Sequence, residues 1–542
     1  MKKIWLWYIF LLTFSFPRAL LAQSDSLTYS ADLFFTGANR GFQPHWHFSN
    51  HYGIFDLDEK AQFVGLFAIG YLHPLGKHFT LDTKVEFSLK SDIKNSYFQQ
   101  LYLNLNYNSL QFKIGKEEYT LAQYSDELSS GSLFLSNNAR PLPRLGAGFY
   151  DYTAVPFITN FLEFKGAMNL GMLDDNRSFF EGVDKPYFHE KFLYLRSKSL
   201  PVNAHLGLNH NAMFGGTQAD GTKIPVDFLA TFFGKGSAKV GGGEQINVAG
   251  AHFGLYDAGL NWKIKNVDFQ AYFQKPFSDG SGRRLNSKDS KLGVLVGTTK
   301  TSLVASATYE FIYTTHQGGA GIPDPIVNGV LVLPADIEDI DQFMSDNFGE
   351  PTNGYTVDDL YSYLMNNLNY GYKYGGRDDH YNNYLYPAGL SYHGNALGNS
   401  LFTTKSMMIN YDVDFDGQYD VFFVNNRIEA HHLAFMGYLS KSFSYRTKLT
   451  YSRNYGSYAG ANKGRYNWGS VEDPAYYKSY FFKDGLKQAY TLLELNYAPT
   501  AWKGARFTSS LAYDFGEMYH NLGVLFSFHY DGVFPSMKSG RD

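Results

Sequence analysis

A two-residue alternation of apolar and polar side chains recurs along the whole length of this chain, without any apolar stretch after the first residues long enough to cross a bilayer as a helix. It is plain in Phe79-Thr80-Leu81-Asp82-Thr83-Lys84-Val85-Glu86-Phe87-Ser88-Leu89-Lys90, and returns in Leu101 to Tyr107, Val267 to Ala271, Tyr445 to Tyr451 and Phe507 to Phe515. A period of two is that of a strand, whose successive side chains point to opposite faces. One face is apolar, while the other carries Lys84, Glu86, Asn104, Gln270, Arg446, Lys448, Arg506 and Asp514.

Residues 1–22 have a different pattern, with Lys2 and Lys3, an apolar run from Ile4 to Phe16, and Ala19 and Ala22 ahead of a cut before Gln23. This is the layout of a cleaved secretory signal peptide, its apolar run being shorter than the ~20 residues of a spanning helix. An exported chain with alternating strands and no later apolar helix reaches a membrane fold by one route. Hydrocarbon offers no hydrogen bonds to exposed backbone, so strands span it only as a closed barrel.

Candidate strands fall near 27–35, 61–73, 78–90, 97–107, 110–118, 150–159, 161–173, 189–197, 201–213, 250–262, 266–276, 290–298, 302–314, 427–439, 445–455, 487–499, 505–516 and 519–531, about eighteen in all. That count is even, as single-chain bacterial barrels require. With the N-terminus inside, the connections at 73–77, 108–109, 197–201, 263–266, 298–301 and 441–444 fall on the inner side and are short. The connections at 36–60, 119–149, 214–249, 315–426 and 456–486 fall on the outer side and are long. This asymmetry is that of a transmembrane antiparallel barrel of the bacterial outer membrane. The domain reading is therefore a signal peptide at 1–22 and one barrel over 23–542, with 315–426 as a long extracellular insertion, and the tail from Asp531 is read as a periplasmic extension.

Composition agrees and excludes other classes. Aromatic residues make up 18% of the chain, suited to interface belts, while the mean hydropathy is only −0.30. A net charge of −4 lacks the basic footprint of a nucleic-acid partner, and the absence of cysteine removes disulfides, thiolate metal sites and a lipoprotein anchor.

Several shorter patterns carry chemical expectations. In 333–370, Asp336, Glu338, Asp339 and Asp341 precede Thr356 to Asp359, where Thr356 reads as an N-cap with Asp359 at the third helical position. The segment is an acidic helical part of the outer insertion, either a solvated pair or a lid. Asp412, Asp414, Asp416 and Asp420 alternate around Gly417 in the manner of a weak Ca2+ loop, although Phe423 stands where the closing Glu belongs; a plain Asp/Gly turn is the alternative. His431 and His432, adjacent on a strand, point to opposite faces and cannot share a metal. No G-x-S-x-G occurs, and Gly241-Gly242-Gly243 lacks the Lys-Ser/Thr of a phosphate loop, so no enzyme is expected. The outer loops carry rings and cations of the kind that stack on sugars and pair with uronates: Arg377, Tyr381, Arg465, Tyr466 and Trp468, with Asn137, Asn138, Arg140 and Arg144 earlier. Their plain alternative is loop packing and interface belts.

Other stretches resemble the Wzi-type capsule assembly family. They are Gly131 to Pro143, His189 to Arg196, Gly207 to His210 with Phe214-Gly215-Gly216, Asn425 to His432, Ser452 to Gly456 and Asp514 to Glu517, in family order over nearly the whole mature chain. The resemblance implies an outer-membrane protein that binds surface polysaccharide and organises its attachment as capsule or exopolysaccharide without making or breaking bonds. The implied partners are that polysaccharide, outer-membrane lipid, and the barrel-assembly and secretion machinery, with the chain acting as a monomer. A porin or small-solute transporter is the alternative, and an outer-membrane hydrolase a more distant one. The insertion at 315–426 departs from the shorter members and leaves the glycan open.

Overall fold

The computed structural model describes residues 26–177, 182–241, 248–278, 288–298, 300–317, 326–327, 330–331, 337–357, 359–360, 363, 379–411, 421–460, 481–482 and 485–534. The signal-peptide assignment, the Asp412 to Asp420 loop and the tail after Phe534 lie outside them.

Eighteen strands form one sheet. In chain order they are β1 (Ser26–Ala38), β2 (Ala61–Leu75), β3 (Phe79–Lys90), β4 (Tyr97–Tyr107), β5 (Leu110–Lys116), β6 (Pro143–Ala154), β7 (Leu162–Met172), β8 (Tyr187–Ser197), β9 (Val202–Phe214), β10 (Ala251–Ile264), β11 (Val267–Phe277), β12 (Ser290–Thr298), β13 (Ser306–Tyr313), β14 (Ile428–Tyr438), β15 (Phe443–Asn454), β16 (Leu486–Tyr497), β17 (Ala505–Gly516) and β18 (Asn521–Val533). Each pairs antiparallel with its neighbour in the chain. The first and last close the barrel in register from Thr28 opposite Val533 to Ala38 opposite Gly523. Closure leaves no strand edge unpaired, which is the condition for crossing hydrocarbon.

The alternation read from the sequence sorts the faces as expected. Ile69, Leu145, Leu193, Leu206 and Phe526 are exposed on the outside, where a bilayer covers them, whereas Glu86, Asn104, Gln270, Lys448 and Asp514 are buried inside. At the short-turn end Trp502, Phe507 and Phe528 cluster, and Phe443 stacks on Tyr497 at 4.6 Å, forming part of an aromatic girdle. His431 and His432 do part to opposite faces: His431 bonds Tyr309 outside, and His432 is buried inside against Thr450 and the Leu128 carbonyl.

One strand is displaced from its expected place. The span 150–159 is occupied by β6 at Pro143–Ala154, and its pairing with β7 shifts register between Phe149 and Thr153. Pro143, Gly146 and Gly148 hide the strand pattern there. Gly148 is required by close approach, since a Cβ at this position would lie 2.4 Å from the Ala167 Cα. In the connection between β13 and β14, a helix at Ile340–Phe348 is capped by Asp339, and Asp359 N donates to Thr356 Oγ1 at 3.2 Å, the capping interaction expected there. Ile340, Met344 and Leu360 give this segment a small core of its own.

Candidate functional site

The connection between β5 and β6, residues 117–142, turns into the barrel. Its Ser129-Ser130-Gly131 turn is built onto charged wall residues: Ser129 Oγ and Ser130 N donate to Glu310 at 2.7 and 2.9 Å, and Lys291 Nζ donates to Gly131 O at 2.8 Å. Leu133 N reaches Gln274 at 3.1 Å. Charges are tolerated in such a place only when fully partnered, and the loop backbone provides those partners.

Two further outer connections complete the plug. Residues 39–60 send His45, Trp46 and Phe48 inward, with His45 N donating to Asp514 at 2.6 Å and Trp46 lying under Lys448. Residues 379–411 and 421–427 pack Tyr381, Tyr386, Leu390, Phe402 and Phe423 against Leu133, Phe134 and Phe253 in a continuous apolar core. The lumen is thus occupied by ordered chain, and a cavity of about 320 Å3 remains between it and the short-turn end, lined by Asp32, Glu127, Arg446, Glu494 and Arg506 among others.

At the outer mouth the same loop presents a cluster of charge and rings. Arg140 lies 3.7 Å above the Tyr97 ring and 3.7 Å from Asp56, which Lys90 also pairs at 2.8 Å. Beside it, Lys116 pairs Asp174 at 3.8 Å, Tyr392 donates to Asp174, and His393 N donates to Asp175 at 2.8 Å. Burial, and then the Arg140 charge, holds the His393 imidazole down at about 4, so it is neutral near pH 7. Arg140, Lys116, Asp56 and Asp174 are all partly exposed, in long pairs that a ligand can join or replace. Cations, carboxylates, a neutral imidazole and phenol rings in one patch form an array for hydroxyls and sugar carboxylates.

The structure redistributes the residues singled out in the sequence. Arg140 stands at the mouth and Asn137 is half-buried beside it, its carbonyl accepting from Tyr52 N at 2.6 Å. Asn138 is not an outer contact: it is buried, bonding Asn50 N and the Ala396 carbonyl. Arg144 is likewise a wall residue, paired with buried Glu190 at 3.2 Å and stacked 3.9 Å from the Tyr119 ring. Tyr381 is a plug residue, with φ +78°, its hydroxyl bonded to the Leu133 carbonyl and its ring against Phe253, Phe402 and Phe423. The physical reason is common to all three. The Ser136 to Pro143 stretch and the segment after 378 are folded in to brace the barrel, Arg144 on β6 donates to the Glu117 carbonyl at the start of the β5–β6 connection, and a buried polar chain needs such side chains as internal partners. Arg377, Arg465, Tyr466 and Trp468 lie outside the described residues. The sequence reading passed over Asp56, Lys90, Tyr97, Lys116, Asp174 and His393, because nothing local marks residues from five separate segments as neighbours.

A closed eighteen-stranded barrel with an aliphatic outside, a polar inside and long loops at one end is a bacterial outer-membrane protein. The model of the family described as capsule assembly protein Wzi matches residues 37–320, and the chain belongs to that family. Among solved structures, the chain is similar to Wzi of Escherichia coli, described as an outer-membrane protein involved in group 1 capsule assembly and a carbohydrate-binding β-barrel, at 11% identity over 92% of this chain and 83% of that one, with a TM-score of 0.49. It is also similar to OccD3 (OpdP) of Pseudomonas aeruginosa, at 9% identity over 95% and 93% of the two chains and a TM-score of 0.46. OccAB4 of Acinetobacter baumannii shows 9% identity over 94% and 99%, with a TM-score of 0.43. No curated protein matches the sequence.

Proposed function

We propose that this protein binds surface polysaccharide at its outer mouth and organises that polysaccharide on the cell as capsule or exopolysaccharide, as a binding protein and not as an enzyme. The observation that carries this reading is the Arg140, Lys116, His393, Asp56 and Asp174 cluster, held open to the outside by a loop that is itself anchored in the lumen. Family membership and the carbohydrate binding ascribed to the Escherichia coli protein support it. Weak individual contacts suit a long polymer, which engages several molecules and gains retention through avidity. The candidate contacts outside the described residues, Arg377, Arg465, Tyr466 and Trp468, belong to the same proposal. A plug made of three connections supports binding over the diffusion of small solutes.

The test is titration of purified protein with the polysaccharide of its own producing strain. The parent is expected to bind, and Arg140→Ala with Lys116→Ala to bind about tenfold more weakly or worse, each cation supplying a charge-assisted contact. Equal binding by the parent and this variant removes the mouth cluster from the function.

A further inference from the structure

Part of the connection between β9 and β10 packs over the outer wall of β8 to β11, with Phe228 and Phe232 against His189. Register fixes the faces: Glu190, Tyr194, Asn209 and Asp257 point inward, with Tyr194 OH donating to Asp257 at 3.2 Å and Asn209 donating to Tyr194 at 2.7 Å. Their neighbours therefore point outward. Lys191 stands opposite His210, His210 opposite Gly254, and Gly254 opposite Phe277, making one row across four strands. The next row toward the short turns is Leu193, Leu208, Tyr256 and Lys275.

Height identifies what this row meets. On β9 the outward residues run Val202, Ala204, Leu206 and Leu208 before His210, a span of eight residues. At ~3.3 Å per residue and a tilt of roughly 40° this is about 20 Å of wall, close to the full height of the apolar band of such barrels. Lys191 and His210 thus sit where hydrocarbon gives way to headgroups. At other places, as at Phe63 on β2 and Leu522 on β18, the wall stays apolar to its upper end, whereas on β14 to β16 it too turns polar, with Glu429 opposite Arg453 and Arg453 opposite Lys487.

Over the row lies a short helix, Phe228–Phe233, capped by Asp227 and ended by Gly234. Phe232 packs on Lys191, whose ammonium lies 3.8 Å from the ring centre and donates one bond to the Phe232 carbonyl. Among the described residues the ammonium makes this one hydrogen bond of the three it can donate. His210 and His252 meet at 3.0 Å, and His252 continues to the Ala249 carbonyl, forming a polar back wall. Together with Tyr256, Phe233 and Gly234 they enclose a cavity of about 250 Å3 that opens outward. Lys235 follows, exposed, and Leu229 and the pocket-lining Phe233 are 66% and 61% exposed, in the manner of residues dipping into an interface.

We infer that this pocket binds the phosphorylated headgroup of an outer-leaflet glycolipid, with Lys191 and Lys235 on the phosphate, the histidine pair and Tyr256 on the sugar, and the acyl chains continuing down Leu193, Leu206 and Leu208. The occupant is a lipid because the pocket is continuous through Leu208 with the apolar band below it, and it is an anion because the Lys191 ammonium lines the pocket and Lys235 directly follows the lining residue Gly234 in the chain. The consequence is a barrel whose β8 to β11 sector is held in a fixed relation to the glycolipid layer through which surface polymer emerges.

The test is native mass spectrometry of the full-length protein in detergent, titrated with lipid A carrying both phosphates and with the same lipid A dephosphorylated. The parent is expected to retain the phosphorylated lipid, Lys191→Gln with Lys235→Gln to retain it about tenfold less or worse, and Lys191→Arg to stay near the parent. Leu229→Ser with Phe233→Ser is expected to weaken retention while leaving the thermal unfolding of the barrel unchanged. Equal retention by parent and double Gln variant, equal binding of the dephosphorylated lipid, or displacement by equimolar inorganic phosphate or soluble polysaccharide each overturns the lipid site.

Discussion

Lys291 and Glu310, on adjacent strands, meet at 2.8 Å inside the barrel with no solvent access, and the hydroxyls and amides of a loop from across the lumen complete their hydrogen bonding. The wall and the plug therefore share one polar network, and neither half is satisfied alone. Replacing Lys291 by Met strands a buried carboxylate, a loss on the order of 3–5 kcal/mol. The barrel has its own strand ladder, so this loss is expected in the docking of Ser129 to Leu135, seen as faster amide exchange there with β12 and β13 still protected. Adding Glu310→Leu to the same chain is expected to restore part of the docking.

Acid is expected to loosen the plug at a second place. His45 and His47 are held down at about 3 and His51 at about 4, chiefly by burial, so all three are neutral when docked. Each has an ordinary value near 6.5 when released. Below that the undocked segment takes up protons first, and the stability these residues lend is lost progressively from about pH 6.5 down toward pH 3–4. Emission of Trp46, read in a variant with the other tryptophans replaced, should shift to the red over that window, and His45→Phe with His51→Phe should flatten the response. An unchanged parent spectrum down to pH 4 removes this account of the plug.

Planar-bilayer recording checks the plug as a barrier. With three outer connections packed in the lumen, the purified parent is expected to show no large, steady conductance, and Lys291→Met to show intermittent openings. A stable porin-like current in the parent contradicts the packing described.

Topology is tested by labelling intact cells. Cysteine introduced at Lys223, in an outer connection, should react with an impermeant maleimide, and cysteine at Lys441, in the turn between β14 and β15, should not. The reverse pattern inverts the barrel.

Much of the barrel was legible because its physics is local. Period-two alternation sorts lipid from lumen residue by residue, and one misplaced strand, β6, arose where Pro143, Gly146 and Gly148 leave little alternation to see. The plug was less legible. Asn138, Arg144 and Tyr381 look like ligand contacts because they are polar or aromatic residues in long loops, but a loop folded into a barrel uses the same residue types to satisfy its own backbone. Arg140 lies at the mouth, and its neighbours Asp56, Lys116, Asp174 and His393 come from separate segments that only the closed sheet brings together.

Whether this protein holds polysaccharide on the cell is read most directly from the ratio of cell-bound to shed polysaccharide in a strain lacking the gene, complemented with the parent or with Arg140→Ala plus Lys116→Ala. A largely shed polymer is expected without the protein, restored retention with the parent, and poor retention with the variant despite normal barrel assembly. Unchanged retention in the full deletion would contradict it.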